Sequence, residues 1–296
     1  MFQPVVDLLV FVGRILWLIA HQLIWPAIAF AVLALAVKGR HAIDAARRAG
    51  PQTRITLTLY VLDLFLFGPP LGMLVMAIAA TLHRFGIELF PATVWSGFGT
   101  APTLVLTLFV GDFTSYWRHR FEHSRWLWPA HAVHHSDDEV TWLTGTRFHP
   151  VNNLTTAVID NTVLALLGFP PWAIAANAVV RHYYGEFIHA DVPWTYGPLG
   201  RLFVSPAMHR WHHARDVAGS GSNFATILSV FDQAFGTHYV PGPCEVALGV
   251  NDAIGRSATR QLVYPFRQWI RRVMRARRRR ARSAESAVEP AEVIGS

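Results

Sequence analysis

Four long stretches of this chain are almost free of charge: 8–37, where only Arg14 is ionised, 55–82, with only Asp63, 92–111, with none, and 151–180, with only Asp160. A helix needs about 20 apolar residues to cross the hydrocarbon core of a bilayer. The first three stretches satisfy that length. The second is expected to kink at Pro69-Pro70, because proline lacks a backbone donor and clashes with the preceding turn. Pro170-Pro171 breaks the fourth, which reads as a hairpin or shallow insertion. Composition agrees, since 52% of residues are hydrophobic and 15% charged, against about 25% charged in a soluble domain.

Charge between the stretches sets the expected topology. Residues 38–54 carry Lys38, Arg40, Arg47, Arg48 and Arg54 against Asp44 alone, which makes this loop cytoplasmic by the positive-inside rule. Counting crossings places 83–91 outside and 112–150 inside. A fourth stretch that enters and leaves on one side puts 181–296 in the cytoplasm as well. No cleavable signal peptide is expected, since the N-terminus has no basic leader region. Near the C-terminus, arginines crowd from Arg267 to Arg282 among Phe266, Trp269, Ile270, Val273 and Met274. In a membrane protein such a run reads as an interfacial basic helix that fades into a disordered tail, rather than as a nucleic-acid site.

The 15 histidines are unevenly placed. Eight fall in three clusters: His119 and His123, then His131, His134 and His135, then His209, His212 and His213. Helical residues three and four apart share a face, so each cluster can aim imidazoles at a common point, and neutral imidazole is the commonest metal-ligand side chain. Eight imidazoles exceed the need of one metal and suit two. Imidazole serves iron, copper, zinc and nickel alike, so ligand type leaves the metal open. The single cysteine, Cys244, excludes disulfide frameworks and thiolate clusters.

The spacing of Asp112, Tyr116, Trp117, His119, Arg120 and His123, then Trp128, His131, His134, His135 and Ser136, then Arg147, His149 and Pro150, then Ile188 and His189, then His209, His212, His213, Asn223, Phe224, Asp232 and Thr237 resembles the fatty acid hydroxylase/sterol desaturase superfamily. The resemblance runs from about 112 to 240. It implies an all-α, integral-membrane helical bundle with a cytoplasmic, His-rich helical cap holding a dimetal site. It also implies two iron ions and O2 as co-substrate, used to hydroxylate or desaturate an unactivated C–H bond of a sterol, fatty acyl chain or other membrane lipid. The implied ligands are His119, His123, His131, His134, His135, His189, His209, His212 and His213. His189 enters through the resemblance alone, since a lone histidine is more often structural.

Metal-bound histidines usually give their other N–H to a carboxylate or carbonyl. Asp112, two helical turns before His119, is expected to serve in this way, with His149, Asn223 and Asp232 as further supports. Glu122, Asp137, Asp138, Glu186 and Asp191 also lie near ligands in sequence. His21, His41, His83, His182 and His238 read as structural, with a site role kept open for His182. Trp117, Trp126, Trp128, Trp142, Trp194 and Trp211 read as interfacial. The expected organisation is a transmembrane anchor region at 1–111, a catalytic core at 112–240 and a basic C-terminal segment at 241–296. Nothing in the chain resembles a fused electron carrier, so a separate ferredoxin, cytochrome or flavoprotein reductase is expected as electron donor. The expected location is a bacterial inner membrane. Two other readings use the same histidines, a zinc- or copper-dependent membrane hydrolase and a metal-handling membrane protein.

Overall fold

The computed structural model describes residues 3–217 and 221–288. All its regular elements are helical, with only two isolated β-bridges, Phe203 with Leu228 and Ala214 with Leu248. Helix α1 (Gln3–Lys38) turns through Gly39, at φ +57°, into α2 (His41–Leu62). A single π turn, Asp63–Phe67, then leads into α3 (Gly68–Arg84). His41–Arg84 is thus one 44-residue helix, the only one among the described residues that meets both the length and the apolarity of a membrane span. At 1.5 Å per residue it is about 66 Å long, twice the hydrocarbon core of about 30 Å.

Two expectations about these stretches are corrected. The irregularity in the second precedes Pro69-Pro70: the Gly68 N–H reaches back to the Asp63 carbonyl, widening one turn. Both prolines lack the N–H that would bond the carbonyl four residues back, and the wide turn absorbs that misfit without ending the helix. The third stretch is not one helix. Helix α4 (Ala92–Phe98) stops at Gly99, whose φ of +79° suits glycine, and α5 (Thr100–Glu122) starts anew. Its apolar part, 100–111, is about 18 Å long, short of a crossing. The fourth stretch forms α7 (Pro150–Leu166) and α8 (Pro171–His189). Gly168 turns between them at φ +72°, pressed against the Phe90 carbonyl where a Cβ would lie 2.0 Å away.

Helix α5 packs on α7 and α8, while α8 also meets the 3-10 turn Trp142–Thr146 and α9 (Pro206–His212). Tyr116, Ile188, Val204, Met208, Phe224 and Phe231 form the core beneath these contacts, together with α10 (Val230–Ala234). A second core joins Ile55 and Leu59 of α2 to Val133 of α6 (Trp128–His135) and Tyr264 of α11 (Ala258–Val288). Burying each large apolar side chain contributes about 1.5–3 kcal/mol. Arg147, fully buried, ties the same elements by donating to Val133 O, Gln52 Oε1 and Ser136 Oγ.

Along α11, Phe266, Ile270, Val273 and Met274 stand about half exposed among the arginines. The tail beyond residue 288, expected to be disordered, lies outside the described residues. The tryptophans do not share one role. Trp117, Trp126 and Trp194 are exposed. Trp211 is buried and donates to Gly242 O, Trp142 stacks on Phe30, and Trp128 packs against His123 and His135.

Candidate metal centre

Four short helical ends deliver the histidines, and each has a local reason to stop or start where it does. His119 sits in the last turn of α5, with His123 as its C-cap. Pro129 opens α6, a helix of two turns that carries His131, His134 and His135. His189 is the last residue of α8. Ser205 caps α9 by accepting the Met208 N–H, and Pro206 follows at the first helical position, where a missing N–H costs nothing. That short helix presents His209 and His212, with His213 as its C-cap.

All nine predicted ligands come together, in two adjoining groups. His119, His123, His131, His135 and His212 form one, and His134, His189, His209 and His213 the other, with one ring nitrogen of each within 4.8 Å of the rest of its group. His135 and His213 stack across the boundary with ring centroids 4.3 Å apart. All but His123 are buried.

Hydrogen bonding fixes which nitrogen faces inward. His119 Nδ1 donates to Phe224 O at 2.7 Å, His134 Nδ1 to Arg147 O at 3.3 Å, His189 Nδ1 to Gly185 O at 2.6 Å and His212 Nδ1 to Ser222 O at 2.6 Å. A carbonyl only accepts, so each of these Nδ1 atoms carries hydrogen and the Nε2 of the neutral ring is a bare lone pair. His131 Nδ1 donates to Asn152 Oδ1 at 2.7 Å, and the Asn152 amide is oriented because its nitrogen donates to Glu122 Oε1.

Bare lone pairs therefore face each other, His119 Nε2 to His131 Nε2 at 3.0 Å and His134 Nε2 to His189 Nε2 at 3.2 Å. Such pairs repel unless a cation lies between them. Imidazoles bound about 2.0–2.1 Å from a metal such as zinc, at about 90–109° to one another, hold their nitrogens about 2.8–3.4 Å apart. The remaining close pairs, His135 to His131 at 3.2 Å, His209 to His189 at 2.9 Å and His213 to His209 at 3.3 Å, fall in or beside that range. The buried Nε2 atoms of His123 and His212 have no hydrogen-bond partner. The donor set fits metal ions in both groups.

Burial lowers the pKa of every one of these histidines, reinforced by neighbouring imidazoles at all but His131, that of His189 to about 4 and that of His212 to about 3. The neutral, ligating form is therefore favoured at pH 7. Burial would raise the Glu122 carboxyl, but Arg118 and His131 hold it below its usual value. The Glu122 carboxylate lies beside the centre, with Oε2 3.5 Å from His131 Nδ1.

The expected supports are placed differently. Asp112 bonds no histidine. It accepts the N–H groups of Thr226, Ile227 and Leu228 and pairs with Arg181. His149 caps α7, accepting the Val151 N–H and bonding Leu262 O. Asn223, at φ +57°, joins Met208 O to the backbone of Tyr239. Asp232 accepts from Phe224 N, Ala225 N and Thr237 Oγ1. It thereby positions the Phe224 carbonyl that holds His119. Asp137 accepts from Thr144, Asp138 from Gln52, and Asp191 pairs with Lys38 and Arg210. The partners missed by sequence reasoning are Asn152 and the backbone carbonyls of residues 147, 185, 222 and 224. No residue-type signal marks a carbonyl, although Asn152 does lie one helical turn past the His149-Pro150 motif.

Fold and site together define an all-helical chain with a paired polyhistidine centre. Residues 104–237 match the model of the fatty acid hydroxylase family. Ornithine lipid hydroxylase OlsE of Rhizobium tropici is 32% identical over 165 residues, 55% of this chain and 50% of that protein. Alkylglycerol monooxygenase of Danio rerio is 34% identical over 159 residues, 52% of this chain and 35% of that protein. Methylsterol monooxygenase 2-2 of Arabidopsis thaliana is 27% identical over 151 residues, 50% and 56% of the two chains. The chain spans about half or less of the length of the first two relatives, and no solved structure matches it. Over residues 104–237, somewhat under half of the chain, the sequence is thus similar to the fatty acid hydroxylase/sterol desaturase superfamily.

Proposed function

We propose that the protein is an O2-dependent, di-iron lipid hydroxylase of the membrane. The observation that carries this reading is the facing of bare Nε2 lone pairs in two adjoining all-histidine groups. Nine neutral imidazoles divided five and four support an octahedral redox metal over zinc. Four histidines would close a tetrahedral zinc site and leave no position for chemistry. Iron held there would supply oxidation of an unactivated C–H bond by O2, with two electrons from a separate donor, one oxygen atom entering the lipid and the other leaving as water. The Phe224, Arg147, Gly185 and Ser222 carbonyls hold His119, His134, His189 and His212 in one tautomer, and Glu122 balances part of the metal charge. The names of the relatives, covering ornithine lipid, alkylglycerol and methylsterol, support a lipid substrate.

The membrane reading keeps 1–111 as anchor region, 112–240 as catalytic core and 241–296 as a basic interfacial segment, with the active site on the cytoplasmic side of a bacterial inner membrane. Since 100–111 is too short to cross, that side is supported by the packing of the core on the basic segment 38–54, through Lys38 with Asp191, Arg48 with Glu139 and Gln52 with Asp138, and not by the count of crossings. Exposed Trp17, Leu66, Met76 and Val105 support lipid-facing flanks, since apolar patches of this kind mark contact surfaces. The test is oxygen consumption by the detergent-purified protein supplied with reductant and a membrane lipid extract, with mass spectrometry of the products. A lipid gaining one oxygen only with reductant supports the reading. Product formation without reductant, or none with iron bound, overturns it.

A further inference from the structure

A cavity of about 480 Å3 lies between the α1–α2 hairpin and the catalytic core, and no histidine lines it. The turn Trp142–Thr146 stands between it and the metal centre: Trp142 and Leu143 line the cavity, while a Cβ on Gly145 would lie 3.4 Å from His189 Nδ1. Ala27, Ala31 and Ala34 of α1 face the cavity, as do Ala42, Ala46 and Ala49 of α2, each set at the three- and four-residue spacing that shares a helical face. Buried Val140, Leu143, Val192 and Leu248 form the opposite wall. Two props keep the space open. Phe30 stacks on Trp142 with centroids 5.1 Å apart at one end, and Lys38 pairs with Asp191 at the other. From Ala27 to Lys38 the groove is about 17 Å long, about half of a hydrocarbon core of about 30 Å and so the reach of one acyl chain. Its volume falls within the ~300–1,000 Å3 of common ligand sites, and exposed Ala31 and Ala46 show that it opens sideways.

The Lys38 end of the groove is polar, and its charges do not cancel. Glu139 has Arg48 at 3.6 Å, and Asp138 has Arg256 at 3.7 Å. Asp191 is instead shared by two cations, Lys38 and, at 3.2 Å, Arg210. One positive charge is therefore in excess where the apolar groove ends. The Lys38 side chain keeps 24% of its surface exposed, and an ammonium carries three donors, so it can serve a second oxygen while still bonded to Asp191.

We propose that this groove holds one membrane lipid that is not the substrate, an anionic glycerophospholipid with an acyl chain along the alanine faces and its phosphate at Lys38 and Arg210. The inference rests on the membrane reading of the chain and not on the oxidation reading. The chain fills a space that apolar side chains line but do not close, and the phosphate takes up the excess charge. A zwitterionic head fits less well, because it brings its own cation toward Lys38. The lipid fastens the α1–α2 hairpin to the two segments that carry His189 and His209, which Asp191 and Arg210 closely follow.

The test uses the full-length chain, stripped of lipid and free of iron, titrated with dipalmitoylphosphatidylglycerol or dipalmitoylphosphatidylcholine and read by native mass spectrometry. One phosphatidylglycerol per chain should be retained about fivefold more strongly than phosphatidylcholine, as for one cation near an anionic head, and should raise the thermal midpoint. Lys38→Gln should abolish that preference. Ala34→Phe, which fills the groove, should weaken retention of both lipids about tenfold; should it fail to fold, Lys38→Gln decides alone. Equal retention of the two lipids by the parent, or retention unchanged by Lys38→Gln or by folded Ala34→Phe, overturns the proposal. Bound phosphatidylglycerol recovered with an added oxygen after turnover of iron-loaded protein makes the groove a substrate path and also overturns it. A chain found in the soluble fraction that still binds as expected defeats the membrane reading and leaves the groove's ligand standing. A membrane-bound chain that retains no stoichiometric lipid overturns the groove alone.

Discussion

His131 shows how the centre works at the level of single residues. Its ring is aimed by Asn152, and Asn152 is aimed by Glu122, so one hydrogen-bond chain sets both tautomer and direction. Asn152→Leu removes the acceptor while keeping the shape. Metal affinity, measured by chelator competition, should fall about 10- to 100-fold, and an unchanged affinity would show that Asn152 does not hold the ligand. The nine histidines were legible in the sequence because i, i+3 and i+4 spacing on a helix is a local property. Their true partners were mostly not legible, being backbone carbonyls brought from distant segments. Asp112 illustrates the limit of helical-face reasoning. It does share a face with His119, but seven residues separate them by about 10 Å along the axis, and its carboxylate is taken by the N–H groups of 226–228.

At the scale of elements, short capped helices carry the chemistry and long apolar ones carry the protein. Helix α9 is only seven residues long, and the Ser205 cap satisfies one of its free N–H groups. Ser205→Ala should cost about 1 kcal/mol, read as a fall in thermal midpoint together with earlier metal loss on heating. Metal loss unchanged despite the lower midpoint would contradict the coupling of that cap to the site. Arg147 links α2 to α6 from a fully buried position beside Asp137. Arg147→Met should cost about 3–5 kcal/mol by leaving that carboxylate and Gln52 without their partner, and a thermal midpoint within a degree of the parent would refute this. The apolar part of the helix 41–84 and the 151–180 hairpin shape were legible from uncharged length and paired prolines, whereas 41–54, read as a charged loop, turned out to be helix continuous with 55–84. The break at Gly99 was not, because an apolar run looks the same whether or not one residue adopts positive φ.

Across the whole molecule, nine neutral imidazoles packed together make the metal-free fold sensitive to acid. Their folded pKa values lie below the ordinary 6.5, so they contribute stability above that value and lose it as pH falls toward about 4 and about 3 for His189 and His212. At pH 5.5 His189 and His212 each disfavour the fold by about 1.4 kcal/mol relative to the unfolded chain, and the other lowered rings act in the same direction. The thermal midpoint of metal-free protein should drop steeply between pH 6.5 and 5, and a flat profile over that range would contradict the arrangement. What makes the paired groups useful is the ion count they imply. The most direct measurement is elemental analysis of protein purified from iron-replete cells, for the parent, His134→Ala and His212→Ala. The account predicts about two irons per chain in the parent and fewer in each variant, since each substitution strikes a different group. Stoichiometric zinc, or a single metal ion unaffected by either substitution, would contradict it.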